Sequence, residues 1–162
     1  MALVLRLPPR LAERVRREAS RRGLTPEEYI IELVEADADP RERALDYIEA
    51  AEGLLEEARG ELKRGDVRQA AEKTWGAVAL AVKAYAAWRD GVRLASHRDL
   101  WLYKDRVAEE LGEWVARVFR EASSLHTCYY EGWCTRRDVE EVIAGVEKLV
   151  REVKGRVAAT SA

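Results

Sequence analysis

Hydrophobic and polar positions change their period once along this chain, near its start. Over Ala2 to Leu7 they alternate, with Leu3, Leu5 and Leu7 on one face and Ala2, Val4 and Arg6 on the other, which is the period of a strand. Pro8 and Pro9 end that run and open a helix carrying Leu11, Val15 and Ala19 at i, i+4, i+8; Gly23 closes it. Thr25, Pro26 and Glu28 then spell a capping box with proline at the first helical position, and Leu24 is placed to staple onto Tyr29. The second helix buries Tyr29, Ile30, Leu33 and Val34 before the polar run Ala36-Asp37-Ala38-Asp39. The pattern therefore predicts a strand-helix-helix module over 1–36 and a short linker at 37–40.

From Pro40 onward the three- to four-residue rhythm never stops. Leu45, Ile48, Leu55 and Leu62 recur at heptad-like spacing until Gly65, and Asp66 caps a helix over about 67–90. That helix sets Ala70, Ala71, Ala77, Ala81 and Ala84 beside Trp75, Val78, Val82, Tyr85 and Trp88, small against large, which permits close helix contact. Ser96 to Asp99 forms another capping box ahead of Leu100, Trp101, Val107 and Leu111. A helix over about 113–130 follows, and Thr135 with Asp138 opens a last one along Val139, Val142, Val146, Leu149 and Val153. Five amphipathic helices with short connections predict an antiparallel up-and-down bundle over 41–158. The expected class is all-α, preceded by the short strand-helix-helix module.

Composition narrows the setting. At 162 residues and 48% hydrophobic, the chain is large enough for a real core. No apolar stretch approaches the roughly 20 residues that cross a bilayer, and Met1 to Leu7 lacks the pattern of a secretory leader. A cytoplasmic protein without a membrane partner is expected. Charged residues make up 36% of the chain, asparagine is absent and glutamine occurs only at Gln69, a pattern that suits a thermophile. Cys128 and Cys134, with two histidines, are too few for a disulfide scaffold and argue against a dedicated metal site. They read as buried thiols or, in a thermophile, as one disulfide. Nothing in the sequence calls for a cofactor.

The net charge of −2 hides a basic segment, since residues 6–22 hold seven Arg against two Glu. The order strand, basic helix, Gly-x-Thr turn, helix over residues 2–36 resembles the ribbon-helix-helix family of DNA-binding proteins. The resemblance implies that two chains pair their strands, so a homodimer is expected, with Arg6, Arg10, Arg14, Arg17 and Thr25 as nucleic-acid-binding candidates. Of the outward strand positions only Arg6 can hydrogen-bond to a base, and Glu27 and Glu28 at the start of the second helix repel a phosphate. DNA binding and plain dimerisation or packing both remain open readings of this segment.

No Gly-rich phosphate loop, zinc spacing or nucleophile elbow is present. What can carry chemistry gathers around the two histidines, in Arg93-Leu94-Ala95-Ser96-His97 and in Arg120 to His126. An arginine and a histidine suffice to cleave RNA without metal: the imidazole moves the proton and the guanidinium stabilises the transition-state charge. Six residues on one helix leave Arg120 and His126 roughly 120° apart, so they do not stack directly. The plainer reading of each histidine is an interface side chain bonded to a carboxylate or carbonyl. Trp75 and Trp114 read as core, whereas Trp133 and Tyr130 flank Gly132 near a predicted loop and are open to stacking on bases.

Residues 41–155, and especially Arg68 to Ala77, Arg93 to His97 and Leu125 to Trp133, resemble the archaeal PaREP family, which is similar to the HEPN superfamily of helical bundles. The resemblance implies a bundle that dimerises and, by the Arg, four to six residues, His motif of active HEPN ribonucleases, a catalytic pair at Arg120 and His126. Arg93, Ser96, His97, Tyr130 and Glu131 would line the same cleft. Where that motif commonly places Asn, Asp or His after the arginine, this chain has Glu121. A protein of toxin–antitoxin or defence type acting on RNA or DNA is the function this implies, with a non-catalytic DNA-binding or structural dimer as the alternative.

Overall fold

The computed structural model describes residues 3–159, which form seven α-helices and one 3₁₀ turn. The helices are α1 (Pro9–Arg21), α2 (Pro26–Val34), α3 (Pro40–Arg64), α4 (Val67–Asp90), α5 (His97–Leu111), α6 (Trp114–Glu131) and α7 (Arg136–Ala159), with the 3₁₀ turn at Glu35–Asp37. The five helices expected from Pro40 onward are all present.

The expected N-terminal strand is not. Residues 3–8 have no regular structure, and among the described residues there is no strand for them to pair with; Ala2 lies outside those residues. The physical reason is that alternation of side chains supplies a face but no hydrogen-bond partner. A single strand leaves its N–H and C=O groups to water, and Pro8 and Pro9 contribute no donor. Leu3, Val4 and Leu5 are 82%, 85% and 67% exposed.

The helix boundaries follow from local chemistry. At the end of α1, Gly23 takes φ +67°, its N–H donates to the Ser20 carbonyl and that of Leu24 to the Ala19 carbonyl, closing the turn with Leu24 and Ala19 both buried. Thr25 Oγ1 accepts from the Glu28 N–H at 3.1 Å while Glu28 Oε2 accepts from the Thr25 N–H at 3.0 Å. Ser96 and Asp99 repeat that reciprocal cap on α5.

α4 is the central element, packed against α3, α5, α6 and α7. Every residue from Thr74 to Ala87 is buried, so this helix is surrounded rather than amphipathic. Its alanines let neighbours approach, and Gly76 lets them approach furthest: a Cβ there would stand 2.9 Å from Leu54 Cδ1 and 3.3 Å from Thr25 Cγ2. Trp75, Tyr85, Leu80 and Phe119 are fully buried, each removal from water stabilising by about 1.5–3 kcal/mol.

α2 is tied to this bundle by charge. Lys83, 2% exposed on α4, lies 3.1 Å from Glu32 and 3.7 Å from Glu28, both on α2. Glu32 also accepts from the Tyr47 hydroxyl at 2.8 Å and from Arg93 at 3.0 Å. Burial pushes the Glu28 carboxyl up to about 7, against the opposing pull of Lys83. The segment from 35 to 39 is pinned as well, since Arg43 donates to the carbonyls of Glu35 and Ala38. No helix of the described residues is long and apolar enough to cross a membrane.

Candidate functional site

The two histidines, 29 positions apart in sequence, come to the same residue. His97 opens α5 and His126 lies in the last turns of α6, and their rings pack on Trp75 of α4 at centroid distances of 5.4 and 5.5 Å. The Trp75 indole N–H is buried without a hydrogen-bond partner, which costs about 1–3 kcal/mol. The chain bears that cost at the residue both imidazoles touch.

Their surroundings give the imidazoles different chemistry. Trp101 Nε1 lies 2.7 Å from His97 Nε2, and an indole nitrogen can only donate. His97 therefore carries its proton on Nδ1 and is neutral, and charging it would break that bond. Burial, with a smaller contribution from His126, accordingly holds His97 below the ordinary imidazole value. His126 Nδ1 lies 2.8 Å from Glu72 Oε2, and here the partner is an acceptor, so the proton again sits on Nδ1. Nε2 of His126 keeps a free lone pair and has no partner among the described residues. A carboxylate that orients an imidazole and stabilises its protonated form is the arrangement of a general base. The edge of Tyr130 closes on the His126 ring at 5.4 Å.

Glu72 and Tyr130 also border a cleft of about 350 Å³ between the N-terminal helices and the bundle. Arg16 and Ser20 of α1 form one wall, Gln69 and Lys73 of α4 the other, and Leu24 and Leu54 lie among its apolar lining. Lys73 is already paired with Glu57 at 2.8 Å. The end of α6 that carries Tyr129 and Tyr130 is held twice. Arg68 donates to both of their carbonyls, at 2.8 and 3.2 Å, and Cys128 and Cys134 form a disulfide across the turn into α7. Among the described residues no group of His, Cys, Asp and Glu is arranged to hold a metal ion.

The profile of the archaeal PaREP1/PaREP8 family matches residues 46–150, a span that contains α4, both histidines and Glu72. The chain belongs to that family. A protein of Sulfolobus solfataricus known from its crystal structure is 23% identical to it, with a TM-score of 0.59 over 65% of this chain and 94% of that one. That likeness is one of fold. No curated protein matches the chain.

Within this PaREP1/PaREP8-family chain the residues singled out from sequence are distributed unevenly. His97 and His126 come together on Trp75, and Tyr130 packs on His126. Arg120 is exposed on the same uninterrupted helix as His126, roughly 120° round its axis. Arg93 is bound to Glu32 of α2, Ser96 is occupied in the cap of α5, and Glu131 is exposed at the end of α6. Thr25 is 3% exposed and spends its hydroxyl on the α2 cap while also bordering the cleft. Arg10, Arg14 and Arg17 share one exposed face of α1 without an ion pair among the described residues, and Arg6 is exposed in the preceding segment. Sequence reasoning missed Glu72, the partner of His126, although it lies inside the Arg68 to Ala77 motif. It also passed over the four-residue spacing that hands His97 to Trp101.

Proposed function

We propose that this chain is a homodimeric nucleic-acid-associated protein of toxin–antitoxin or defence type whose bundle cleaves RNA without a metal. The observation that carries the reading is the Glu72–His126 pair with its free Nε2, set beside a cleft walled by the basic helix α1. In this reaction His126 Nε2 takes the proton of a ribose 2′-hydroxyl and the 2′-oxygen attacks the adjacent phosphorus. The P–O5′ bond breaks, the 5′-oxygen is protonated, and a 2′,3′-cyclic phosphate remains. Arg16 is the guanidinium of the same chain that borders the cleft and serves the developing charge. Arg120 lies roughly 120° round α6 from His126 in its own chain, which leaves it a role at a site completed by a second copy. The exposed Leu5, Leu11, Leu33 and Val34 support the pairing of two chains.

The test is incubation of chelator-treated protein with a mixed RNA pool across a pH series. Wild type is expected to cleave, and His126→Ala and Glu72→Gln to lose about 10²–10⁴-fold in rate. Equal survival of RNA with all three proteins would sink the nuclease.

The unpaired arginines of α1 favour a second reading, a binding protein without catalysis. It predicts duplex-DNA affinity that falls steeply with salt, the slope shrinking by about 0.9 when Arg14 is changed to alanine. A flat salt response removes it.

A further inference from the structure

This chain has purged its carboxamides with one exception: asparagine is absent and Gln69 is the sole glutamine. That residue lies in the cleft, and it also borders a hollow of about 380 Å³ next to the same Tyr129 and Tyr130. Its side chain is not spent on structure. Gln69 stands third in α4, the position from which Glu28 in α2 and Asp99 in α5 turn back to cap their own helices. In α4 the Asp66 carboxylate accepts from the Gln69 N–H at 3.0 Å, but the Gln69 carboxamide makes no hydrogen bond among the described residues. A surface chosen against amides keeps one, half-buried and unengaged, in a cleft it shares with two tyrosines and charged groups of both signs.

The neighbours define what such an amide can meet. Tyr130 is 58% exposed, and its contacts with Tyr129 and His126 are edge-to-face at 77° and 84°. The bonds from Arg68 fix the backbone on which it stands. The charges of the lining cancel, Arg16 and Lys73 against Glu27 and Glu72, which disfavours a polyphosphate and suits a neutral planar heterocycle. Arg10, Arg14 and Arg17 are exposed on another face of α1, the helix whose Arg16 and Ser20 border the cleft, and are available to a strand's phosphates outside it.

We propose that the cleft is a nucleobase site selective for adenine, in which Tyr130 stacks on the base and Gln69 reads its N6 and N7. A carboxamide presents one acceptor and one donor side by side, the complement of adenine N6–H and N7, whereas guanine offers two acceptors along the same edge. The inference names the substrate of the nucleic-acid reading above and rests on it for the presence of a strand, but not on cleavage. It makes the protein a reader of adenine in single-stranded RNA.

The experiment uses the full chain and fluorescein-labelled 2′-O-methyl hexamers of adenylate and of uridylate, which cannot be cleaved through the 2′-oxygen, with anisotropy as the readout. Wild type is expected to bind the adenylate hexamer about 5- to 150-fold more tightly than the uridylate one. Gln69→Leu and the isosteric Gln69→Glu should each erase that preference. Tyr130→Ala should weaken both hexamers by a similar factor through lost stacking. Melting curves accompany each variant, and either Gln69 substitution suffices if the other unfolds. Equal affinity of wild type for the two hexamers, or a preference that survives both Gln69 changes, overturns the assignment. A preference for adenylate in a protein that leaves RNA intact upholds it and removes the nuclease, while cleavage without base preference does the reverse.

Discussion

His97 and His126 share Trp75 as a neighbour and have opposite partners, and the contrast shows how the second atom of a pair decides what an imidazole can do. The Trp101 indole consumes the lone pair of His97 and makes it a neutral fixture of the α4–α5 contact. The Glu72 carboxylate consumes the proton of His126 and leaves its lone pair free. Exposure would not have separated the two, since both are partly buried.

The strongest way to break this comparison is to exchange the consequences. His126→Ala is expected to abolish the metal-free RNA cleavage proposed above by about 10²–10⁴-fold, whereas His97→Ala should lower the melting temperature and leave the rate within about tenfold. Equal losses in rate from both would show that the imidazoles act as a unit. A smaller effect isolates the His126 side. Replacing Cys128 and Cys134 together by serine opens a short covalent loop and is expected to destabilise by about 2 kcal/mol, some 4–8 °C in a calorimetric scan. The loosened end of α6 carries Tyr130, so adenylate binding should weaken while the His97 titration stays fixed.

The smallest effect sharpens the His97 side. Trp101→Phe removes the bond that charging His97 would break, so the His97 titration, followed by the imidazole proton resonances, should move up while burial still holds it below the ordinary value. The sign for stability follows. A base whose folded-state value is depressed adds nothing against folding above its unfolded value, and stability is lost as pH falls through 6.5 toward the folded value. Trp101→Phe should therefore flatten the fall in melting temperature between about pH 7 and 5, and an unchanged slope would show that burial, not the Trp101 bond, sets the His97 contribution.

Legibility in the sequence follows the range of the interaction. The caps at Thr25–Glu28 and Ser96–Asp99 and the turn at Gly23 could be read because both partners lie within a few residues. The segment before Pro8 was misread as a strand because its alternation is local but its pairing is not. The His126 motif shows the same division. The spacing from Arg120, and with it the separation of roughly 120° on one helix, was visible in sequence, and α6 is that one helix. The carboxylate that does meet His126 is 54 residues away, and only the packing of α4 against α6 brings it there. Gln69 was noted for its rarity, but nothing local says which side chains surround it.

Gln69, Glu72 and Trp75 all belong to α4, whose backbone is enclosed from Thr74 to Ala87, and this has a consequence for motion. In native-state hydrogen exchange the amides of that stretch should exchange only through global unfolding, at the slowest rates in the molecule. Those of α1, which packs chiefly on α2, should exchange through local openings. The α4 wall of the cleft, Gln69 to Lys73, runs directly into that stretch while the opposite wall belongs to α1, so entry of a ligand falls first to the wall built by α1.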